Sequence, residues 1–323
     1  MKRLIAACML ALPVLAASAP AMAQSYPSRP IRWLVPYPPG GGSDFLARTV
    51  GQQLSEQVKQ PVIIENKAGG NTAIAAAETA RSPGDGYTIL NADNGTMVFN
   101  TALYSKLVYN AEKDLAPVTL VGRFPMILVV GPGSEAKDAR DFIARAKARP
   151  GSVNYGSAGA GSPHHLAMEL LEVSAGLDMV HVAYRGAAPS LADVAGGQIP
   201  AMMVDLAAGA AFIKNNRVRP LAVANATRLP QLPDVPTFAE LGFRDVEAAA
   251  LVGVVAPAAT PPEVVNTLYK QISAAIAQPS VRQRLVDFGV EPVGSTPQQY
   301  AELLTRERER WHKLIRDQKI TLD

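Results

Sequence analysis

Pro36-Tyr37-Pro38-Pro39-Gly40-Gly41-Gly42-Ser43-Asp44 joins a strand-like apolar run, Ile31–Val35, directly to an amphipathic helical pattern. Leu46, Val50, Leu54 and Val58 recur every four residues in that pattern, while Arg48, Gln52, Glu56 and Lys59 face elsewhere, so one stripe of a helix is apolar. A strand that runs through glycines into a helix is the repeating unit of an α/β protein. The junction also suits an anion. Three consecutive glycines leave backbone N–H groups uncovered, and Ser43 or Asp44 can cap a helix whose first turn carries unpaired donors and a partial positive charge. The competing reading is a tight turn without a ligand, because Pro and Gly runs make turns wherever a chain reverses.

Two more junctions repeat the logic. Tyr155-Gly156-Ser157-Ala158-Gly159-Ala160-Gly161-Ser162-Pro163 follows a short strand at 153–155 and precedes a helical pattern at 165–175, with Ser162 as N-cap and Pro163 in the first turn. Val182-Ala183-Tyr184-Arg185-Gly186-Ala187-Ala188-Pro189 again passes from strand to helix. Loops at the carboxyl ends of several strands point to one shared crevice.

The N-terminus reads as a secretory signal. Lys2 and Arg3 form its charged region, residues 4–15 its apolar core, and Ala21-Met22-Ala23 its cleavage site, which gives a mature chain from Gln24 and export to the periplasm. A lipid anchor at Cys8 is the competitor, but the few residues before that cysteine leave no room for an apolar core. Cys8 is the single cysteine and departs with the signal, so no disulfide, thiolate metal site or cysteine nucleophile is expected. Losing Lys2 and Arg3 takes the formal charge from +3 to +1 (3 − 2), and no basic stripe with interleaved aromatics points to nucleic acid. No later run approaches the roughly 20 apolar residues that span a bilayer.

Strand and helix signals alternate to the end of the 323 residues, as in a protein with mainly parallel sheets flanked by helices. The length favours two domains. The C-terminal helices need a sheet to cover, so the chain is expected to cross between lobes twice, near 123–130 and 248–255. This predicts one domain from 24–124 with 249–323, a second from 125–248, and a hinge between them.

The loops resemble those of the periplasmic solute-binding receptors of tripartite tricarboxylate transporters, the Bug family, over essentially the full chain. The resemblance rests on the Pro36 loop, Val62-Ile63-Ile64-Glu65-Asn66-Lys67-Ala68-Gly69-Gly70, and Asn154-Tyr155-Gly156-Ser157-Ala158-Gly159. Tyr184-Arg185-Gly186, Val204-Asp205, Leu221-Ala222-Val223, Pro233-Asp234-Val235-Pro236-Thr237 and Ala256-Pro257 with Pro261-Pro262 add to it. It implies a two-lobed, Venus-flytrap α/β receptor, monomeric and without cofactor or metal, that closes on a small organic acid. That acid would be a di- or tricarboxylate, or an aromatic or amino acid carboxylate, delivered to membrane permease subunits or presented to a sensor ectodomain. Carried over by position, the ligand residues are Tyr37, Gly40, Gly41, Gly42, Ser43 and Asp44; Gly69, Gly70, Asn71 and Thr72; and Asn94, Gly95 and Thr96. In the second half they are Ser157, Ala158, Gly159, Gly161, Ser162 and His164; Tyr184, Arg185, Gly186 and Ala187; and Asp205. One departure is that many relatives carry a tryptophan where this chain has Ala249, Ala250 and Leu251, which implies a roomier pocket.

Catalytic alternatives fail on spacing. There is no G-x-S-x-G elbow, no G-x-x-x-x-G-K-[ST] and no H-E-x-x-H. His164 and His165 are adjacent on a helix start and point about 100° apart, poorly placed to share an ion. Asp205, at the end of an apolar strand, is either a helix cap or an acceptor from a ligand hydroxyl, amine or water. Arg185 is either a solvated loop charge or a carboxylate clamp. Asn94-Gly95-Thr96 reads as a turn rather than a glycosylation site, and the charged run at 306–310 as the outer face of a packed helix.

Overall fold

The computed structural model describes residues 26–322, so the signal-peptide reading of residues 1–23 lies outside them. β1 (Ile31–Val35) runs through the glycine loop into α1 (Gly42–Val58), and β2 (Val62–Asn66) leads to α2 (Ala73–Ala80). β3 (Thr88–Asp93) enters a π-helical turn, Gly95–Phe99, continued by α3 (Asn100–Leu103) and the long β4 (Leu115–Val130). Next come α4 (Ala139–Lys147), β5 (Asn154–Ser157), α5 (Pro163–Ala175), β6 (Val180–Ala183) and α6 (Ala187–Ala195). β7 (Ala201–Asp205), α7 (Leu206–Lys214) and β8 (Arg219–Ala224) follow. The chain returns in β9 (Ala249–Pro257) and ends with α8 (Pro262–Ala277), α9 (Pro279–Asp287), β10 (Glu291–Pro292) and α10 (Pro297–Asp317).

The strands form a continuous curled sheet in the order β2-β1-β3-β9-β4-β7-β5-β6, with β10 and β8 also on β4. β4 belongs to both halves: up to Pro125 it pairs with β9, and from Met126 it pairs with β7 and β8. At the changeover Met126 N–H donates to the Ala248 carbonyl, and Ala248 N–H to the Ala224 carbonyl, both at 2.9 Å. Two adjoining strands thus carry the chain between the lobes. The local strand-helix units pair in parallel, β1 with β2 and β3, and β5 with β6 and β7. The crossing strands run the other way and are antiparallel to every neighbour, so the sheet is mixed rather than mainly parallel.

The sequence pattern marks only the apolar second half of β4 as strand, because Pro117 and Pro125 interrupt the first half and proline cannot donate to a ladder. The structure accommodates this stretch with register shifts between Pro117 and Thr119 and between Leu120 and Gly122.

Trp33, Leu46, Leu54, Ile89, Val254 and Leu268 form a core on one face of the first lobe. A second core runs from Leu34, Phe99 and Trp311 along β4 to Leu128, Leu166 and Leu171, binding the lobes into one hydrophobic body. α10 covers the first lobe: Leu304, Trp311, Leu314 and Ile315 are buried, and Thr296 and Gln299 form a reciprocal capping box. Of the charged run, Arg306 and Glu309 are exposed, whereas Glu307 accepts from Trp311 Nε1 at 2.7 Å and Arg308 pairs with Glu112 at 3.3 Å. Trp311 meets Phe99 edge-on at 5.3 Å, and truncating such a residue to Ala costs about 3–5 kcal/mol.

Candidate functional site

The loop after β1 has two different glycines at its turn. Gly40 sits at φ +90°, whereas Gly41 is the N-cap of α1 with ordinary extended backbone, φ −84° and ψ 174°. Neither Ser43 nor Asp44 caps the helix, contrary to the sequence expectation. Ser43 Oγ accepts from Asn91 Nδ2 at 2.8 Å, and the Asp44 carboxylate accepts from Gly40 N–H at 2.9 Å, Arg48 Nε at 3.0 Å and Asn66 Nδ2 at 2.9 Å. Burial works against the Asp44 anion, but Arg48, the Gly40 amide and Asn66 outweigh it and hold its pKa below the ordinary range. Asp44 therefore sets the loop's shape, and the first-turn N–H groups of α1 are left without a side-chain cap.

Behind this loop lies a buried polar network that the sequence does not reveal. Tyr37 donates to Asp93 Oδ2, and Asp93 Oδ1 accepts from both the N–H and the hydroxyl of Thr96 at 2.8 Å. The Thr96 hydroxyl lies 2.8 Å from Thr72 Oγ1, Asn100 Nδ2 donates to the Asn71 carbonyl at 2.7 Å, and Tyr109 donates to the Thr96 carbonyl at 2.7 Å. This lattice holds Gly69, Gly70, Asn71 and Thr72 at φ +127°, +56°, +47° and +75° in succession. Positive φ at a β-branched, buried threonine is a real outlier, and such strain collects at ligand-contacting loops. Asp93, Asn100 and Tyr109 are the residues that sequence reasoning missed. The only available signal was the position of Asp93 at a strand's carboxyl end.

On the second lobe Ser162 caps α5, accepting from His165 N–H at 3.3 Å, with Pro163 in the first turn as the sequence predicts. Ser157 is buried, with its hydroxyl accepting from Gly159 N–H at 3.0 Å and lying 2.6 Å from His181 Nε2. The adjacent histidines diverge. His164 Nε2 meets Asp205 Oδ2 at 3.1 Å, while His165 stacks on His181 at 3.8 Å and reaches Glu169 at 3.2 Å. Asp205 also caps α7 through Ala208 N–H at 3.1 Å. Burial opposes its charge, but the His164 imidazole and that N–H keep its pKa below the usual carboxylate range. Tyr184 turns away to donate to Asp193 at 2.6 Å, Arg185 is exposed with no ion-pair partner among the described residues, and Gly186, at φ +114°, leads into Ala187 and α6 without a side-chain cap.

The two sets of loops meet across the lobes. A β-carbon at Gly161 would lie 2.6 Å from Leu103 Cδ1 and 3.7 Å from Asn71 Nδ2, and one at Gly42 would lie 3.1 Å from Phe124 and 3.4 Å from Ala207. The helix starts of α1, α2 and α6 are without side-chain caps, and Arg185 is an exposed loop cation with no ion-pair partner among the described residues. A cavity of about 190 Å³ lies beside the crossing of β4 and β9, lined by Ala249 and Leu251 together with Arg123, Glu247 and Arg310. The described residues contain no cluster of three metal-ligating side chains and no helix long and apolar enough to cross a membrane.

Residues 46–320 match the model of the tripartite tricarboxylate transporter family receptor. Protein BugT of Bordetella pertussis is 33% identical over 318 residues, which cover 98% of each chain. Among solved structures, an R. palustris protein with adipate is 34% identical with a TM-score of 0.83, covering 90% of this chain and 97% of that one. MatC from Rhodopseudomonas palustris with bound malate is 30% identical with a TM-score of 0.80, covering 90% of this chain and 100% of that one. With its two-lobed α/β architecture and strand-to-helix glycine loops, this chain belongs to the tripartite tricarboxylate transporter family of receptors.

Proposed function

We propose that this protein is a non-catalytic periplasmic receptor that encloses a small organic carboxylate between its lobes and delivers it to the permease subunits of a tripartite tricarboxylate-type transporter. The lobes are residues 26–124 with 249–322, and residues 125–248. The observation that carries the reading is the close approach of strand-to-helix loops from opposite lobes, where a β-carbon at Gly42 would lie 3.4 Å from Ala207 and one at Gly161 3.7 Å from Asn71 Nδ2. Adipate and malate in two relatives support a di-acid of four to six carbons.

The magnitudes suffice. A charge-assisted hydrogen bond contributes about 1.5–3 kcal/mol, and micromolar affinity corresponds to about 8 kcal/mol, so three or four such bonds reach it after ordering losses. Native mass spectrometry of the purified protein, followed by heat release of whatever it carries, tests the reading. An organic acid recovered unchanged is the expected result; turnover of the acid, or a non-acidic ligand, would overturn it.

A further inference from the structure

Gly161, where the second lobe meets Leu103 and Leu322 of the first, is tied to α5 by a histidine: its N–H donates to His165 Nδ1 at 3.1 Å. His165 is 4% exposed, and its Nε2 lies 3.2 Å from Glu169 Oε1, which also accepts from the Tyr155 hydroxyl at 2.5 Å. Burial works against the Glu169 anion, but His165 and Tyr155 outweigh it and hold its pKa below the ordinary range. A carboxylate only accepts, so Nε2 carries a hydrogen; a backbone N–H only donates, so Nδ1 keeps its lone pair. The ring is therefore the neutral Nε2–H tautomer. The groups facing it are Tyr155 from β5 at 6.3 Å, His181 from β6 at 3.8 Å, and Glu169 from α5 itself. Beyond them, Glu172 acts on Tyr155, and Asp178 on Glu172.

Building on the receptor reading, we infer that His165 is a positioning residue that makes the receptor release its acid as pH falls. Neutral, it fixes Gly161 at the lobe contact; protonated on Nδ1, it sets N–H against N–H and frees the loop. Glu169, in direct contact, draws the proton to this ring. Burial, and then His165, lower His181 to about 4, so the stacked partner stays neutral while His165 changes. The His181 contact is also the more tolerant one. The Ser157 hydroxyl, 2.6 Å from His181 Nε2, can turn instead to the Gly159 carbonyl at 3.1 Å, whereas the Gly161 N–H cannot become an acceptor. The sign is diagnostic: an imidazolium acting by charge alone would hold an anion more tightly in acid, whereas losing the Gly161 anchor weakens binding.

Calorimetry with adipate and malate at about pH 7.5 and about pH 6, in buffers of different ionisation enthalpy, tests this across the range in which imidazoles titrate. Wild-type affinity should fall at least about threefold at the lower pH, no more steeply than about tenfold per pH unit for one proton, and binding should release protons. His165→Asn puts Oδ1 where Nδ1 was and cannot be protonated there. Its affinity at the higher pH should stay within about threefold of wild type and no longer depend on pH. His165→Gln reaches toward Glu169 instead, offers Gly161 no acceptor, and should bind weakly at both pH values. Affinity that is level or rises in acid, or a pH dependence retained in His165→Asn, overturns the inference and leaves the receptor reading intact. A readout that needs neither variant nor ligand is the nitrogen-15 spectrum of the ligand-free protein, in which the Gly161 amide should titrate together with the His165 ring. A Gly161 amide that ignores that titration overturns the inference whether or not either acid binds, whereas binding of neither acid at any pH counts against the receptor reading.

Discussion

Gly161 of the second lobe faces Leu103 of the first with room for hydrogen alone: a β-carbon there would lie 2.6 Å from Leu103 Cδ1 and 2.9 Å from Leu322 Cδ1. Leu322 is itself held in place, its N–H donating to the Leu103 carbonyl at 2.9 Å. Gly161→Ala, which adds a β-carbon at φ +73° and displaces the ends of the Leu103 and Leu322 side chains at this lobe contact, should therefore lower ligand affinity and diminish any ligand-dependent decrease in radius of gyration by small-angle scattering. Gly242→Ala is the control, since Gly242 has a comparable positive φ of +99° with nothing within 4 Å. Equal effects from both substitutions would show that backbone strain, not the lobe contact, is responsible.

The two glycines before α1 separate in the same way. Gly41 has allowed φ and open space around it, so Gly41→Ala should leave the melting temperature within about 2 °C of wild type while weakening carboxylate binding that uses the loop's N–H groups. Gly40, at φ +90°, should instead lose about 1–2 kcal/mol of stability on substitution by Ala. Calorimetry and thermal unfolding read the two effects, and unchanged affinity in Gly41→Ala would remove that residue from the site.

Behind the Ser157 loop, two titrating groups oppose each other. Burial, and then Glu169, raise Glu172 from 4.5 to about 7, while burial, and then His165, lower His181 from 6.5 to about 4. A carboxyl with a raised folded pKa stabilises below its unfolded value and loses that contribution as pH rises toward 7. A histidine with a lowered folded pKa makes stability fall as pH drops from 6.5 toward 4. Between 4.5 and 6.5 the slopes have opposite sign. Glu172→Gln should unmask the histidine slope, making the variant's melting temperature fall more steeply on acidification than wild type. Parallel curves would show that the pair does not compensate.

Arg185 is exposed beside a helix start and has no ion-pair partner among the described residues. Arg185→Gln should slow association with a dicarboxylate and flatten its dependence on ionic strength, as expected when a steering charge is lost. Stopped-flow traces at low and physiological salt measure this. Identical rates in both proteins would return Arg185 to an ordinary solvated side chain.

Glycine runs and the cap at Ser162 were legible because they act over a few neighbouring residues. The expectation that Ser43 or Asp44 caps α1 failed because side chains distant in sequence compete: Asn91 takes Ser43, and Asn66 joins Arg48 on Asp44. The Tyr37–Asp93–Thr96 network was illegible for a related reason, since its members come from separate loops that only the folded sheet brings together. β4 was half hidden because two prolines disguise a strand whose bulges absorb them. The mixed sheet follows from the crossing strands, whose direction no local pattern encodes.

The seating of β9 between β3 and β4 gives the two lobes different histories during folding. Every strand wholly within the second lobe lies in one unbroken stretch, so that half can assemble as soon as its own sequence is available. The first lobe has a sheet whose interior strand, and the helix carrying Trp311, come from the last part of the chain, and it must wait for them. A chain cut short after β8 would present one finished half and one open sheet edge, the kind of surface that recruits other unfinished chains.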